Sequence, residues 1–400
     1  MFDRRTLMLS AGALAASGLP ASAQDEERFG PLDGAMHRLV DEKKLAGVVT
    51  LVARKGKLRH VDAYGKLDAS GSAPVRTDSI FRLASMTKPI VGVAMMILWE
   101  EGRWKLDDPV AKHIPQFANL KVGPNGEAQR SPMLMRQLMS HSAGFDVSAG
   151  YEGVNLRQGG LPGMIETLSK LPLKSQPGTD WAYGPSVDIQ GYVVERLSGQ
   201  TLDVFLKTRI FDPLGMPDTG FWVDPSKVDR VARIHTYKDG VLIPAGERNV
   251  IPTTKPPFLS GSGGLLGTAP DYWRFCQMLL DGGKLGGGAR ILKSSTVKLM
   301  HTNVLNPGVE VDLYSPDSKG QDFGMDFAIV RDPALAKTAK AKDSFYWGGA
   351  FGTWFWIDPV NELIFVGMIQ NLNGSTPGRG TPNVREISAE AMRDAYKLKV

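Results

Sequence analysis

The chain has 400 residues, 42% hydrophobic and 22% charged, with a formal net charge of +5. Those proportions suit a globular protein with a substantial core. No basic run or aromatic-basic interleaving is present, which argues against nucleic acid. The single cysteine, Cys276, excludes an intrachain disulfide, and six scattered histidines without H-x-H or H-E-x-x-H spacing offer no metal-ligand set.

Met1 to Arg5 is a short basic head, Thr6 to Leu19 is an apolar run, and "ASA" at 21–23 has the small-x-small pattern of a signal-peptidase site. Residues 1–23 therefore read as an export signal, and the Arg4-Arg5 pair resembles a twin-arginine signal. The run is too short to span a bilayer comfortably. The expectation is an exported, periplasmic protein with no membrane span and a mature domain over 24–400.

Residues 31–44 predict a helix with Leu32, Met36, Leu39 and Val40 on one face. "GVVTLVARKGKLRHVDAYG" predicts a hairpin around Lys55-Gly56-Lys57. Ser85 opens a helix running through "IVGVAMMILWEEG", apolar nearly all round and so buried, which Gly102 stops. Further helices are expected at 132–139 (Ser131 as cap, Pro132 in the first turn), 161–170, 186–198 and 202–210 (Thr201 as cap). A Gly-rich loop leads to a helix at 270–281, with Thr268 as cap and Asp271 completing a capping box. Cys276, inside that apolar pattern, reads as a buried small hydrophobe.

Residues 321–331, 344–357 and 362–371 are strand-like; "IDPVNE" makes a hairpin of the last two, and a helix covers 384–397. The stretches 303–320 and 373–383, rich in Pro, Gly, Asn and Ser, are expected to be loosely ordered. Strands at both ends and helices between them predict an α/β protein of the α+β type. One antiparallel sheet is assembled from about 31–84 and 258–400, flanked by terminal helices, with a large helical region over about 85–257 inserted.

The pattern S-x-x-K occurs twice, at Ser85-Lys88 and Ser295-Lys298. The second lies on a short helix with Ser294 or Ser295 as N-cap, and Lys298 is free to point to water. Ser85 stands where a β-rich segment meets a buried helix, whose N-terminus aims free N–H groups at whatever precedes it. Lys88 shares its face one turn on, and the apolar helix behind carries the ammonium out of water. From the local residues alone, Ser85 is either a nucleophile with Lys88 as its base or a plain N-cap serine beside a snorkelling lysine.

Two further stretches bear on that choice. "PGTDWAYGPSVDIQG" holds Tyr183 in a Gly/Pro loop before a helix, where a phenol is either structural or able to share a proton with a nearby lysine. "YWGGAFGTWFW" places two glycines in a β-rich run, which weakens a strand unless something must approach its backbone. A substrate carbonyl is such a group, and the Ala350 N–H is a candidate donor to it.

Ser85-x-x-Lys88, then Tyr183, then Trp347-Gly348-Gly349, in that order, resembles the serine β-lactamase-like superfamily, and most of all class C β-lactamases and family VIII carboxylesterases. "LDDPVAKHIP", "LMSHSAGF", "PLGMPDTGF" and "GSGGLLGTAPDYWRF" fit the same resemblance, which covers essentially the whole mature chain. It implies that Ser85 is acylated, that Lys88 and Tyr183 together take its proton, that Tyr183 later activates the deacylating water, and that the N–H groups of Ser85 and Ala350 form an oxyanion hole. No metal and no cofactor are expected. No G-x-S-x-G is present, which removes an α/β-hydrolase.

Two departures bear on substrate. Trp347 stands where lactam-cleaving members carry Lys, and Pro185 where they carry Asn. With Gly348 and Gly349, these positions are expected to line the substrate site, Trp181, Trp354 and Trp356 being core residues or further aromatic lining. The expected substrate is a small ester or amide. A short-chain or apolar ester leads, with β-lactamase, D-amino-acid peptidase and acyltransferase activities as alternatives of the same chemistry. His141 and Ser142 are expected to be structural, since adjacent residues do not face each other, and Asp188 and Gln190 to orient the Tyr183 loop.

Overall fold

The period of two along each strand divides the core. In the computed structural model, which describes residues 23–146, 154–238, 241–286, 288, 290–312, 319–372 and 383–398, β1 (Gly47–Arg54) sends Val48 and Val52 to one face and Val49, Leu51 and Ala53 to the other. The same alternation runs through β10 (Trp354–Asp358) and β11 (Leu363–Met368): Trp354, Trp356, Leu363 and Phe365 lie on the first face, and Phe355, Ile357, Ile364 and Val366 on the second. Strands buried on both faces read as unbroken apolar runs.

The sheet has seven strands, every pairing antiparallel. From one edge the order is β2 (Lys57–Gly65), β1, β11, β10, β9 (Phe345–Gly348), β8 (Ala328–Val330) and β7 (Gln321–Phe323). Adjacency of β1 and β11 joins the two ends of the chain, as expected. The first face is covered by α1 (Ala23–Asp41) and α10 (Val384–Tyr396), through Phe29, Leu32, Met36 and Met392. The second carries α8 (Ala269–Leu280) and the larger core around α2 (Thr87–Glu100), in which every residue from Thr87 to Leu98 is buried. Helices α3 (Met135–Met139), α4 (Gly160–Leu168), α5 (Ser186–Ser198), α6 (Leu202–Leu206) and α7 (Asp212–Leu214) make up the inserted region. Among the described residues there are also two short sheets: β3 (Phe81–Arg82) with β6 (Leu266–Gly267), and the hairpin of β4 (His235–Lys238) and β5 (Val241–Pro244).

Several expectations are corrected. The first helix starts at Ala23 rather than near residue 31, with Pro31 inside it. The expected signal over 1–23 otherwise lies outside the described residues, as does nearly all of 373–383. Helix α3 starts at Met135, where Gln137 Oε1 accepts from Leu134 N at 2.8 Å, so Ser131 is no cap. The turn after α6 widens into a π-helical turn over Lys207–Phe211. The run 321–331 is two strands, not one, folded back at Asp326 with φ +62°. Thr268 caps α8 through Asp271 N at 3.2 Å, but the Asp271 carboxylate accepts from Asp218 N and Thr219 Oγ1, at 2.8 and 2.9 Å, and does not close a box. Cys276 is buried as expected, and burial pushes its thiol up.

Gly367 lies directly opposite Trp354 in the β10–β11 ladder, and a Cβ there would collide with the indole ring. Gly367→Ala should therefore destabilise the fold by about 1–3 kcal/mol through overpacking, read as a lower denaturant midpoint with an unchanged m-value.

Candidate active site

Ser85 sits in a 3-10 turn, Ala84–Met86, that runs straight into α2. Ala84 enters it at φ +47°, a region that non-glycine residues occupy mainly where surrounding structure forces it. Three elements apply that force. Thr353 Oγ1 donates to Leu83 O at 3.0 Å, Tyr272 OH to Met86 O at 2.9 Å, and Leu265 N to Thr87 Oγ1 at 3.1 Å. Ser85 is half-buried between two buried neighbours.

Lys88 is 3% exposed, and its Nζ is held from three directions. It donates to Ser85 Oγ at 3.3 Å and to Ser262 O at 2.6 Å, and lies 4.5 Å from the centroid of the Tyr183 ring. The Ser262 carbonyl is fixed in turn, because Asp188 Oδ1 accepts from Ser262 N at 2.9 Å and from Ser260 Oγ at 2.8 Å. Asp188 thus clamps the Gly-rich loop and, through it, the amine; it does not orient the Tyr183 loop. Gln190 faces elsewhere, since residues two apart on a helix are turned by roughly 200°. Its Nε2 donates to Leu138 O and to Asp326 Oδ1, both at 3.2 Å.

The Tyr183 loop is held instead by the "SHSAG" turn. Gly178 N donates to Ser142 O at 2.7 Å and Ala182 N to His141 O at 2.8 Å. The Tyr183 ring lies in an aromatic group, with centroids 4.9 Å from His141, 5.9 Å from Trp181 and 5.6 Å from Trp347. Burial drives the His141 imidazole, packed among these rings, well below its usual range. Its structural role was legible in the sequence; its grip on the Tyr183 loop was not. Among the described residues no hydrogen bond joins the Tyr183 hydroxyl to Ser85 or Lys88, so it is the ring that meets the amine.

The third motif arrives on β9. Its continuation, Gly349, donates from N to Thr353 O at 2.7 Å. A Cβ on Gly349 would collide with Leu83 O, so this turn and the Ser85 turn touch backbone to backbone. Ala350, next in the chain, is exposed there. Trp347 is 8% exposed and packs on Tyr183 and Phe323, and Pro185 is buried where α5 begins, so neither leaves its apolar surface open. Trp354 and Trp356 lie across the sheet, leaving Trp181 as the member of that trio in the aromatic group. Arg385 of α10 is a neighbour that local sequence did not announce. Its guanidinium lies against Gly348 and donates to Gly349 O at 3.2 Å, and burial lowers it to about 10.

The second S-x-x-K lies apart from this assembly. Ser295 and Lys298 are exposed on α9 (Ser294–Met300), with Lys293 at the cap position.

The family model for beta-lactamase matches residues 32–389. The chain belongs to the beta-lactamase family. Among curated relatives it is 32% identical to an uncharacterized protein of Mycobacterium tuberculosis, over 85% of this chain and 90% of that one. It is 30% identical to esterase EstB of Burkholderia gladioli, over 81% of this chain and 86% of that one. Among solved structures, EstCE1, described as a hydrolase with promiscuous acyltransferase activity, superposes with a TM-score of 0.79 at 24% identity, over 93% of this chain and 100% of that one.

If Asp188 holds the Ser262 carbonyl on Lys88, then Asp188→Ala should slow the reaction of Ser85 with a fluorophosphonate probe by about 10- to 100-fold. That is the range for losing one charge-assisted hydrogen bond of about 1.5–3 kcal/mol. Labelling rates beside thermal unfolding check it, because a general loss of folding would move both.

Proposed function

We infer that this member of the family is a serine hydrolase that cleaves small esters through an ester formed on Ser85. The observation that carries the reading is the 3.3 Å approach of the buried Lys88 amine to Ser85 Oγ, since a nucleophilic hydroxyl needs a base within hydrogen-bond reach. Ser85 Oγ attacks the ester carbonyl and its proton passes to Lys88 Nζ. The N–H groups of Ser85 and Ala350, on two touching turns, receive the charge that develops on the carbonyl oxygen. The alcohol leaves with the proton. Water then attacks the acyl-serine from the side of Tyr183, and the acid departs as Ser85 regains its proton.

Preference for esters rests on Trp347 and Pro185, which carry no ammonium or amide toward a lactam's carboxylate and acylamide. EstB, an esterase by name, supports the same reading. Arg385 favours a second reading, in which the substrate carries a carboxylate.

Ser85→Ala should abolish both hydrolysis of p-nitrophenyl butyrate and fluorophosphonate labelling. With the wild-type enzyme, kcat/KM for the butyrate should exceed that for nitrocefin by at least about tenfold, the cost of one missing charge-assisted hydrogen bond. Faster turnover of nitrocefin would overturn the ester preference in favour of the anionic substrate.

We also propose that residues 1–23 direct export to the periplasm. Protein recovered from that compartment should then begin at Gln24 by N-terminal sequencing, and a full-length chain retained in the cytoplasm would refute this.

A further inference from the structure

The third motif runs into a turn whose first peptide links Gly349 to Ala350. A trans peptide is planar, so its C=O and N–H point in opposite directions, and holding one aims the other. Ala350 N donates to no group among the described residues. Gly349 O, by contrast, is held twice. It accepts from Gly352 N at 3.0 Å across the turn and from Arg385 Nη2 at 3.2 Å. A carbonyl oxygen has two lone pairs, and both are thus engaged. The peptide lies beside the turn that carries Ser85, since a Cβ on Gly349 would collide with Leu83 O and stand 3.2 Å from Ala84 Cβ.

The bond across the turn is a weak anchor by itself, because Ala350 is exposed and Gly352 closes the turn at φ +90°. The guanidinium ties the same oxygen to α10, and the start of that helix is fixed in turn. Glu386 accepts from Ala339 N, from Thr338 Oγ1 at 3.1 Å and from Lys340 Nζ at 3.4 Å, and Ser388 Oγ accepts from Trp354 Nε1 at 3.1 Å. Two residues run against local preference to make the contact. Glycine weakens a strand, yet Gly348 stands in β9, where a Cβ would collide with the guanidinium. Arg385 brings a charge that no carboxylate pairs with among the described residues, and its Nε is buried without a hydrogen-bond partner. A cation left so is costly to bury. Packing alone would be served by an apolar side chain at 385 and a β-branched one at 348.

We propose that Arg385 is a positioning residue for the oxyanion hole: its hold on Gly349 O aims the Ala350 N–H at the carbonyl oxygen of the substrate. The bond also polarises the peptide, which strengthens that N–H as a donor. This rests on the reading of Ala350 N–H as an oxyanion donor to an acyl group on Ser85. Arg385 acts only through the peptide and transfers no proton.

The test compares p-nitrophenyl butyrate with its thiono analogue, in which sulfur replaces the carbonyl oxygen, in the wild type, Arg385→Met and Gly348→Ala. Both esters release p-nitrophenolate and neither carries a carboxylate. The ratio of their kcat/KM values is independent of the fraction of enzyme that is folded. Sulfur accepts hydrogen bonds poorly, so a working hole favours the oxygen ester. Arg385→Met keeps a long side chain and removes the donor. Gly348→Ala keeps Arg385 and pushes its guanidinium off Gly349 O, so it decides the matter if Arg385→Met does not fold. Outright loss of one oxyanion donor costs about 10²–10³ in kcat. A misdirected donor should slow the oxygen ester by about 10- to 100-fold, in kcat rather than KM, slow the thiono ester much less, and so lower the ratio. A ratio equal to that of the wild type overturns the proposal. Both rates falling together would mark a purely structural residue, and neither moving would mark one that only meets a substrate carboxylate. Fluorophosphonate labelling separates the two levels. If wild-type Ser85 labels and the ratio is unchanged in a folded variant, only the role of Arg385 falls; a wild-type Ser85 that never labels would overturn the acyl-serine reading with it.

Discussion

A primary amine pressed against an apolar helix survives burial only if oxygen atoms or π-faces meet it where water cannot. Lys88 is in that position, and the structure around it follows from the need. Ser262 O and Ser85 Oγ take two directions and the Tyr183 ring takes a third. None of these partners is local apart from Ser85. Ser262 is brought by the Gly-rich loop that leads into α8, and Tyr183 by the loop that leads into α5. Each loop is itself pinned, the first by the Asp188 carboxylate and the second by the carbonyls of His141 and Ser142.

The sheet supplies the other half of the geometry. Because β11 pairs with β1, β9 is carried, through β10, to a place beside the turn that starts α2. Contact there is between backbones. Gly349 passes so close to Leu83 O that no side chain fits, and Thr353 Oγ1 bonds the same carbonyl at 3.0 Å. The turns that carry Ser85 and Ala350, more than 260 residues apart in the chain, are thereby brought against each other.

The polar atoms of this centre are held inside apolar and aromatic walls. Trp181, Phe323 and Trp347 surround Tyr183 and His141, and their rings leave the phenol little freedom to turn. A rigid wall of this kind adds to the direct hold on the amine in keeping it within reach of the hydroxyl, which is how a preorganised site limits reorganisation during reaction.

Much of this was legible along the chain. The hairpin of β1 and β2, the hairpin of β10 and β11, the buried helix α2 and the boundaries of α5 all follow from periodicity and turn residues, because those signals are local. The order of Ser85, Lys88, Tyr183 and Trp347 was also readable, since each occurs in a short recognisable stretch. What could not be read were the partners: that Asp188 grips Ser262, that Asp271 abandons its own cap for Asp218 and Thr219, that Trp354 and Trp356 belong to the far side of the sheet, and that Gly348 makes room for Arg385. A single sequence carries no record of which distant carbonyl an amide will meet. Local chemistry therefore determined which residues could react, and the tertiary fold alone decided which of them are held together, because hydrogen bonds and close packing act only once the chain ends have been brought into one sheet.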